Sequence, residues 1–583
     1  MGRGLNSSNG QDRESAKNRR LLPIGVLALG LGIAAAAFLA TQRTGTDEEE
    51  RRRSSSVQVR LSDPSQIKRG KALAKGLCHS CHRVPKPDIL PKAEWRVVLS
   101  YMGFFLGQEL GLGEDNRHYQ EYQKSDFVSP DVQREEIDFI LRDLGDRHAF
   151  LTALDLVRVT PAVSDDLWEA VRAYYEGAAP DASLPPQQQQ QAKGVVPFFV
   201  AKPNDYLDSP STTLVHIDEQ AQELYIGGMG LRNTRRPRVT IFSSDGEQKR
   251  ELILRGVPIG VAVTDDGFFL SLIGNFFPTR NLRPAKILFY DKDRRDVPKV
   301  KLTALPRLAN SAVADLNGDG LLDIVTCEHG HGLLKVGAVT LYLGTQVGFG
   351  AGQRLIGYPG CVRVDLRDMN GDQRLDVVAL MAGGREGLQL LINQGSGQFD
   401  GRAILMKHPA FGYVYSELTD FDGDGDVDVL TVNGDNQEGD MQNRVRRYHG
   451  LRIYLNDGTG ELREKFFFYL HGAVMARARD FDADGDLDIA AISSYPRSGN
   501  GGPVSFVYLQ NEGDLEFTPW THEANVAGRW MVMDAGDLDG DNDIDIVLGG
   551  FSHPVGLVGE IAEETMSGKS PAFLILENTR VGR

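Results

Sequence analysis

"DFDGDGDVDVLTV", residues 420–432, sets five aspartates at alternate positions ahead of a β-prone run. Four more segments repeat the pattern: "DLNGDGLLD" from Asp315, "DMNGDQRLD" from Asp368, "DFDADGDLD" from Asp480 and "DLDGDNDID" from Asp537. Consecutive starts lie 53, 52, 60 and 57 residues apart. A period of that length is the signature of a repeat architecture, in which one unit cannot bury its own apolar face without a neighbour. Acidic or amide side chains fill positions 1, 3, 5 and 9, and an apparent strand such as "DIVT" or "DVVAL" follows. Oxygen donors at alternate positions of a tight loop suit a hard cation of calcium's size, with a backbone carbonyl expected from position 7. The expected ligands are Asp315, Asn317, Asp319 and Asp323; Asp368, Asn370, Asp372 and Asp376; Asp420, Asp422, Asp424 and Asp428; Asp480, Asp482, Asp484 and Asp488; and Asp537, Asp539, Asp541 and Asp545. Up to five Ca²⁺ would follow, the alternative being acidic turns that hold no metal.

An EF-hand is excluded by position 12, where Thr326, Ala379, Thr431, Ala491 and Leu548 stand in place of its bidentate glutamate. The closing aspartate followed directly by a strand instead resembles the FG-GAP/VCBS repeats of integrin-α-like β-propellers, over about residues 195–580. Gln373 and Asn542 replace the usual glycine at position 6. The five loops hold 21 aspartates, and five bound dications would move the formal charge from −16 to −6. The anionic excess is therefore largely metal-site charge, and it argues against nucleic acid as a partner.

Strand-like runs around the motifs, with two earlier segments that keep the spacing but lose the ligand set ("LVHIDEQAQELYIGGMG" and "GVAVTDDGFFLSLIG"), give seven blades. The chain ends soon after "AFLILENTR", so the last blade lacks its outermost strand, and "GVVPFFVAKP" at 194–203 is expected to supply it and close the ring. Connections between second and third strands are long and varied, and such loops on one rigid face are where binding concentrates. His329, His331 and His553 fall in them, either as part of a ligand site with Arg236 or Arg280 or as plain exposed loop histidines. Cys327 is expected to end a strand in the third blade and Cys361 to begin the next blade on that same face; an oxidising compartment would permit a disulfide if their Cα atoms approach within ~7 Å, the alternative being two free thiols.

The N-terminal third reads differently. Lys17, Arg19 and Arg20 precede an uncharged run from Leu21 to Ala40, long enough as a helix to span roughly 30 Å of bilayer core. It is expected to be an uncleaved anchor or a signal segment. Further on, "CHSCH" offers Cys78 and Cys81 for thioether attachment of one haem c and His82 as proximal iron ligand. The alternatives are a thioredoxin-type redox pair or half a zinc site, but no second cysteine pair and no βαβ pattern lie nearby. Covalent haem is assembled outside the cytoplasm, so the two signals support each other. Residues 65–180 resemble the c-type cytochrome domains of exported bacterial proteins in "CHSCH", "PKPDILPKAEW" and "SDDLWEAVRAYYEGAAPDASLPP". In "KAEWRVVLSYMG", Trp95, Leu99 and Met102 fall on one helix face. Trp95 would cover a porphyrin edge and Met102 would supply the sixth ligand, with His118 and His148 as rivals.

The expected fold class is thus multidomain: an N-terminal membrane-anchor helix, a small all-α cytochrome c-like domain and an all-β seven-bladed propeller. Its divisions are a cytoplasmic basic segment (1–20), the anchor or signal (21–40), a tether (41–64), the haem domain (65–180), a Pro/Gln-rich linker (181–194) and the propeller (195–583). The expected function is electron transfer by a haem c protein on the cytoplasmic membrane, single-pass, with its bulk in the periplasm or extracellular space. A redox partner protein or ligand would dock on the loop-rich face of the calcium-stabilised propeller. Two alternatives stand beside it: an adhesion or carbohydrate-binding propeller with a redox-sensing haem, and a propeller oxidoreductase passing electrons to the haem. The propeller region shows neither the tryptophan docking repeats of quinoprotein dehydrogenases nor a nucleotide-binding fingerprint, so a carrier is expected rather than an independent catalyst.

Overall fold

A strand that is apolar at successive positions needs cover on both faces. Asp376–Met381, Asp428–Asn433, Asp488–Ser493 and Asp545–Gly550 are such strands, and each is buried at every position. They find cover because each is the second strand of a four-stranded antiparallel sheet wedged between two like sheets. The computed structural model describes residues 63–78, 84–92, 95, 98–99, 102–103, 106, 108, 163–181, 191–203, 206–208, 210–229, 236–274, 284–292, 297–331, 336–435, 446–494, 504–551 and 569–580. Within these, seven sheets form the blades of a propeller: blade 1 (212–253), blade 2 (257–305), blade 3 (308–356), blade 4 (361–406), blade 5 (413–469), blade 6 (473–520) and blade 7 (530–578 with 199–203). Outer strands are wetter; Lys299–Leu305 of blade 2 buries only Leu302 and Leu305.

The core is inter-blade. Leu430, Val432 and Ile453 of blade 5 join Ala476, Ile489 and Val507 of blade 6 in one cluster, and Val325 and Val339 of blade 3 join Val364 and Val377 of blade 4 in another. Full burial of each such Leu, Ile or Val side chain stabilises by about 1.5–3 kcal/mol. The ring closes as the sequence led us to expect. Phe199–Pro203 is the outermost strand of blade 7, paired antiparallel to Phe573–Asn578 with Phe199 opposite Asn578 and Pro203 opposite Leu574. Just before it, Val195 pairs in parallel with Thr521 beside blade 6.

Ahead of the propeller the expected fold class is corrected. The described residues there hold two helices of ordinary length, α1 (Pro64–Cys78) and α2 (Asp165–Ala178), and a 3₁₀ turn at Pro87–Ile89, with further helical positions from Lys92 to Gly103. No small all-α cytochrome domain is made by these elements. No described helix is long and apolar enough to cross a membrane, and residues 21–40 lie outside the described residues. The packing gives a physical reason. Gly70 of α1 lies so close to α2 that a Cβ there would meet the Ala170 carbonyl at 1.8 Å. The small core beside this crossing is filled by side chains on one another: Trp95 lies 4.2 Å from Tyr175 between ring centroids and donates its Nε1–H to the Pro87 carbonyl at 2.7 Å, while the Tyr175 hydroxyl donates to Pro85 at 3.2 Å. Trp95, expected over a porphyrin edge, is engaged in that cluster, with Leu99 buried and Met102 half-buried against it. Cys78 ends α1; Cys81, His82, His118 and His148 lie outside the described residues.

Candidate metal centres

Each aspartate loop joins the inner strand of a blade to its second strand, and backbone donors fold it around the first aspartate. Asp315 Oδ1 accepts the Gly318 N–H and Oδ2 accepts that of Gly320, both at 2.8 Å. Asp420 takes Gly423 and Gly425 in the same way, at 2.8 and 2.9 Å. Burial works against the Asp315 charge, but the N–H groups of Gly320, Gly318 and Asp319 hold its carboxyl below the usual range. The turn needs left-handed backbone at positions 4 and 6 in all five loops. Glycine serves at most of them; Gln373 (φ 67°), Ala483 (φ 57°) and Asn542 (φ 68°) carry side chains there.

Position 9 is tied into the fold. Asp323, Asp376, Asp428, Asp488 and Asp545 are almost wholly buried. The Oδ2 of each accepts the N–H of position 2, from Leu316, Met369, Phe421, Phe481 and Leu538. The Oδ1 of each accepts an N–H at or just past the end of the third strand, from Gly344, Asn393, Asn456, Asn511 and Asn578. Burial pushes Asp428 and Asp545 up to about 6 and Asp488 to about 7. The third-strand asparagines were not singled out from the sequence. Their side-chain amides donate to the position 8 carbonyls of Leu375, Val427, Leu487 and Ile544, and Asn393 and Asn578 also reach Leu316 and Phe481 of the preceding blade at 2.8 Å. Their signal was legible as the recurrent asparagine of "LLIN", "IYLN", "YLQN" and "ILEN".

In blades 5 and 7 the carboxylates at positions 1, 3 and 5 converge: Asp420, Asp422 and Asp424, and Asp537, Asp539 and Asp541, each offer an oxygen within 4.8 Å of the others. In blade 6 the converging set is Asp480, Asp482 and Asp488. Such all-oxygen clusters fit a hard dication, which would offset their mutual repulsion. The other loops are partly self-compensated. Asn317 and Asn370 donate to Asp319 and Asp372 at 3.0 and 3.2 Å, and Arg374 pairs with Asp372 at 2.5 Å. In blade 6, Arg580 and Gln510 hold Asp482 at 2.9 and 2.7 Å. Blades 1 and 2 have plain turns here, Asp218 to Glu223 and Thr264 to Gly267, as their missing ligand sets imply.

The inner strands, expected from the sequence only as strand-like runs, carry a second polar system. Arg363 pairs with Asp365 at 2.8 Å, Arg479 with Glu417 at 2.7 Å and Arg477 with Asp534 at 2.8 Å; Arg477 also lies 3.6 Å from Glu417. His216 Nδ1 lies 3.4 Å from Asp534, whose Oδ2 accepts the Ile217 N–H at 3.0 Å. This belt crosses blades 4, 5, 6, 7 and 1. Its signal was charge at alternate positions of "CVRVDLR" and "AVMARAR" and the single aspartate of "WMVMDAG".

Toward the opposite face, Cys327 in the middle of the second strand of blade 3 (Asp323–His331) is bridged to Cys361 at the start of blade 4, with Cα atoms 5.3 Å apart. His329 is half-buried and Arg236 exposed; the His331 side chain, Arg280 and His553 lie outside the described residues. His449 and His471, which the sequence reading passed over, stack at 5.7 Å between blades 5 and 6.

Residues 368–431, 420–491 and 480–548 match the FG-GAP-like repeat, each span running from position 1 of one loop to position 12 of the next. The chain therefore carries FG-GAP-like repeats in a seven-bladed propeller. The loop at Asp315 lies outside the matched spans yet folds in the same way. No curated protein matches the chain. Among solved structures, BBS1N in complex with ARL6DN, soaked with mercury, is 10% identical over 66% of this chain and 97% of that one, with a TM-score of 0.39. The N-terminal domain of Nup159 is 11% identical over 66% and 98%, with a TM-score of 0.36.

Proposed function

We propose that the chain is an extracytoplasmic haem c protein that transfers electrons, held at the membrane through residues 21–40, with its propeller as a calcium-stabilised docking or ligand-binding module. The observation that carries the propeller half is segregation: antiparallel blades put the aspartate loops at one end and the second-to-third strand connections at the other. One end is a metal-type framework, and the other is free to vary. Three converging carboxylate sets support calcium as the framework ion. The Cys327–Cys361 bridge supports an oxidising compartment, the one in which covalent haem is assembled. Cys78, Cys81 and His82 would hold that haem, which would supply reversible one-electron chemistry; Met102 would have to leave its packing beside Trp95 and Tyr175 to serve as the sixth ligand. The partner is a redox protein or a ligand on the loop-bearing face.

Full-length protein exported in a host competent for c-type maturation tests this directly. A pyridine haemochrome assay is expected to show one covalent haem, lost in Cys78→Ala/Cys81→Ala, and Met102→Ala is expected to remove the thioether-to-iron band of the ferric spectrum. No covalent haem in the wild-type protein would overturn the electron-transfer reading and leave the propeller as a binding module alone.

A further inference from the structure

The loop of blade 7 departs from the others at position 7. That position holds Leu321, Arg374, Asp426, Asp486 and Asp543 in chain order. Arg374 turns back onto Asp372, Asp426 is half-buried and Asp486 is exposed. Asp543 is only 4% exposed, and no N–H or hydroxyl donor of the fold reaches its carboxylate oxygens, whose nearest polar neighbour is the Asp541 carboxylate. Its carboxyl group lies among those of Asp541, Asp545 and Asp539. Five aspartates thus share one loop, and Glu219 from blade 1 adds a sixth carboxylate by accepting the Asp537 N–H at 3.3 Å. Little positive charge answers them. Lys202, which acts on Asp539, is itself paired with Glu577. In blade 6, by contrast, Arg580 and Gln510 engage the buried Asp482.

A buried carboxylate without donors is among the most costly groups a fold can hold unless a cation meets it. The donors around this one are all oxygens, so the matching cation is a hard one. We propose that the blade 7 loop binds a divalent cation of calcium's class more tightly than the other four loops, with the Asp543 side chain as a ligand additional to those at positions 1, 3 and 5. The inference rests on the reading of the loops as calcium sites and assigns one residue that the repeat pattern does not.

The test uses the full chain stripped of metal with a chelator, then titrated with calcium by calorimetry and with terbium by luminescence. Asp543→Asn keeps the shape and removes the charge; Asp486→Asn is the control at the equivalent exposed position, and Asp543→Ser is a second variant should the amide disturb folding. The wild type is expected to show one step tighter than the rest. Asp543→Asn weakens that step by about tenfold or more, as loss of a charged ligand should, and Asp486→Asn leaves it in place. Melting gives an independent readout: Asp543→Asn melts higher than wild type in chelator, because repulsion is relieved, yet gains less from calcium. A folded Asp543→Asn protein with the wild-type isotherm and the wild-type calcium gain in melting temperature overturns the proposal. Failure of the wild type to bind calcium at all overturns instead the broader reading of the loops, and this proposal with it.

Discussion

Within one loop, aspartates five and nine residues along differ in what surrounds them. Asp424 is exposed and accepts only the Asp426 N–H, at 2.8 Å, among the described contacts. Asp428 is fully buried and takes the N–H groups of Phe421 and Asn456, both at 2.8 Å. Removing Asp428 strands two buried donors, each costing about 1–3 kcal/mol. We therefore expect Asp428→Ala to lose about 3 kcal/mol or more in urea unfolding even with chelator present. Asp424→Ala should change stability by less than about 1 kcal/mol in chelator and show its deficit only when calcium is added. A second residue-scale expectation concerns Gln373, exposed at φ 67°. Left-handed backbone costs a non-glycine residue roughly 1–2 kcal/mol, against about 0.4–1 kcal/mol of extra chain entropy for glycine in the unfolded state. Gln373→Gly should therefore stabilise by about 0.5 kcal/mol, measurable as a higher urea midpoint. The spacing of positions 1, 3, 5 and 9 was legible because it recurs within a nine-residue turn whose own backbone donors fold around the first aspartate, as at Asp420. The division of labour between position 9 and the others was not, because it depends on donors 28 residues away in sequence, as between Asp428 and Asn456.

At the scale of elements, the blade count and ring closure could be read in advance because each second strand must be apolar on both faces and because an unpaired sheet edge demands a partner. Val325 and Ile546 look alike in sequence for that reason, although they sit in blades 3 and 7. The inner strands misled for a related reason: "AVMARAR" is apolar by count, but Arg477 and Arg479 stand at alternate positions and find acids only on neighbouring blades. The helical segment misled most. Three short strings carried its resemblance, whereas the packing turns on Gly70 against Ala170 and on Trp95 against Tyr175, pairs no local pattern announces. One element-scale feature was open in the sequence and is formed in the structure, the bridge between Cys327 and Cys361, 34 residues apart. Closing a loop of that length restricts the unfolded chain, so Cys327→Ser/Cys361→Ser should lower unfolding free energy by about 3 kcal/mol, read as a fall in urea midpoint with a steeper slope, because the uncrosslinked denatured chain is less compact.

For the molecule as a whole, the inter-blade cores supply most of the stabilisation but little specificity, since every blade interface is apolar in much the same way. The charged belt along the inner strands is different at each step, and through Asp534 it joins the last blade to the first: Arg477 of blade 6 lies on one side and the Ile217 N–H of blade 1 on the other. Burial alone would raise the Asp534 carboxyl, but Arg477, with His216 and the Ile217 N–H, overrides it and holds the group well below the ordinary aspartate range. The sign of the pH dependence follows. A carboxyl depressed in the folded state contributes its full stability above the unfolded value of about 4, and that contribution is lost as pH falls below it toward the folded value. Replacing Asp534 by asparagine leaves Arg477 buried beside a neutral amide, with Glu417 at 3.6 Å and the more remote Asp365 as its remaining acids. Breaking a buried pair in this way costs about 3–5 kcal/mol at neutral pH. The difference in unfolding free energy between wild type and Asp534→Asn should therefore shrink steadily as pH falls below about pH 4. Urea titrations of both proteins at matched pH isolate this term, because the carboxylates of the five loops titrate alike in each and cancel in the difference. A gap that stays constant down to pH 3 would place the role of Asp534 in packing rather than in charge, and ring closure would then rest on the strand pairing of Phe199–Pro203 and the apolar contact between blades 7 and 1.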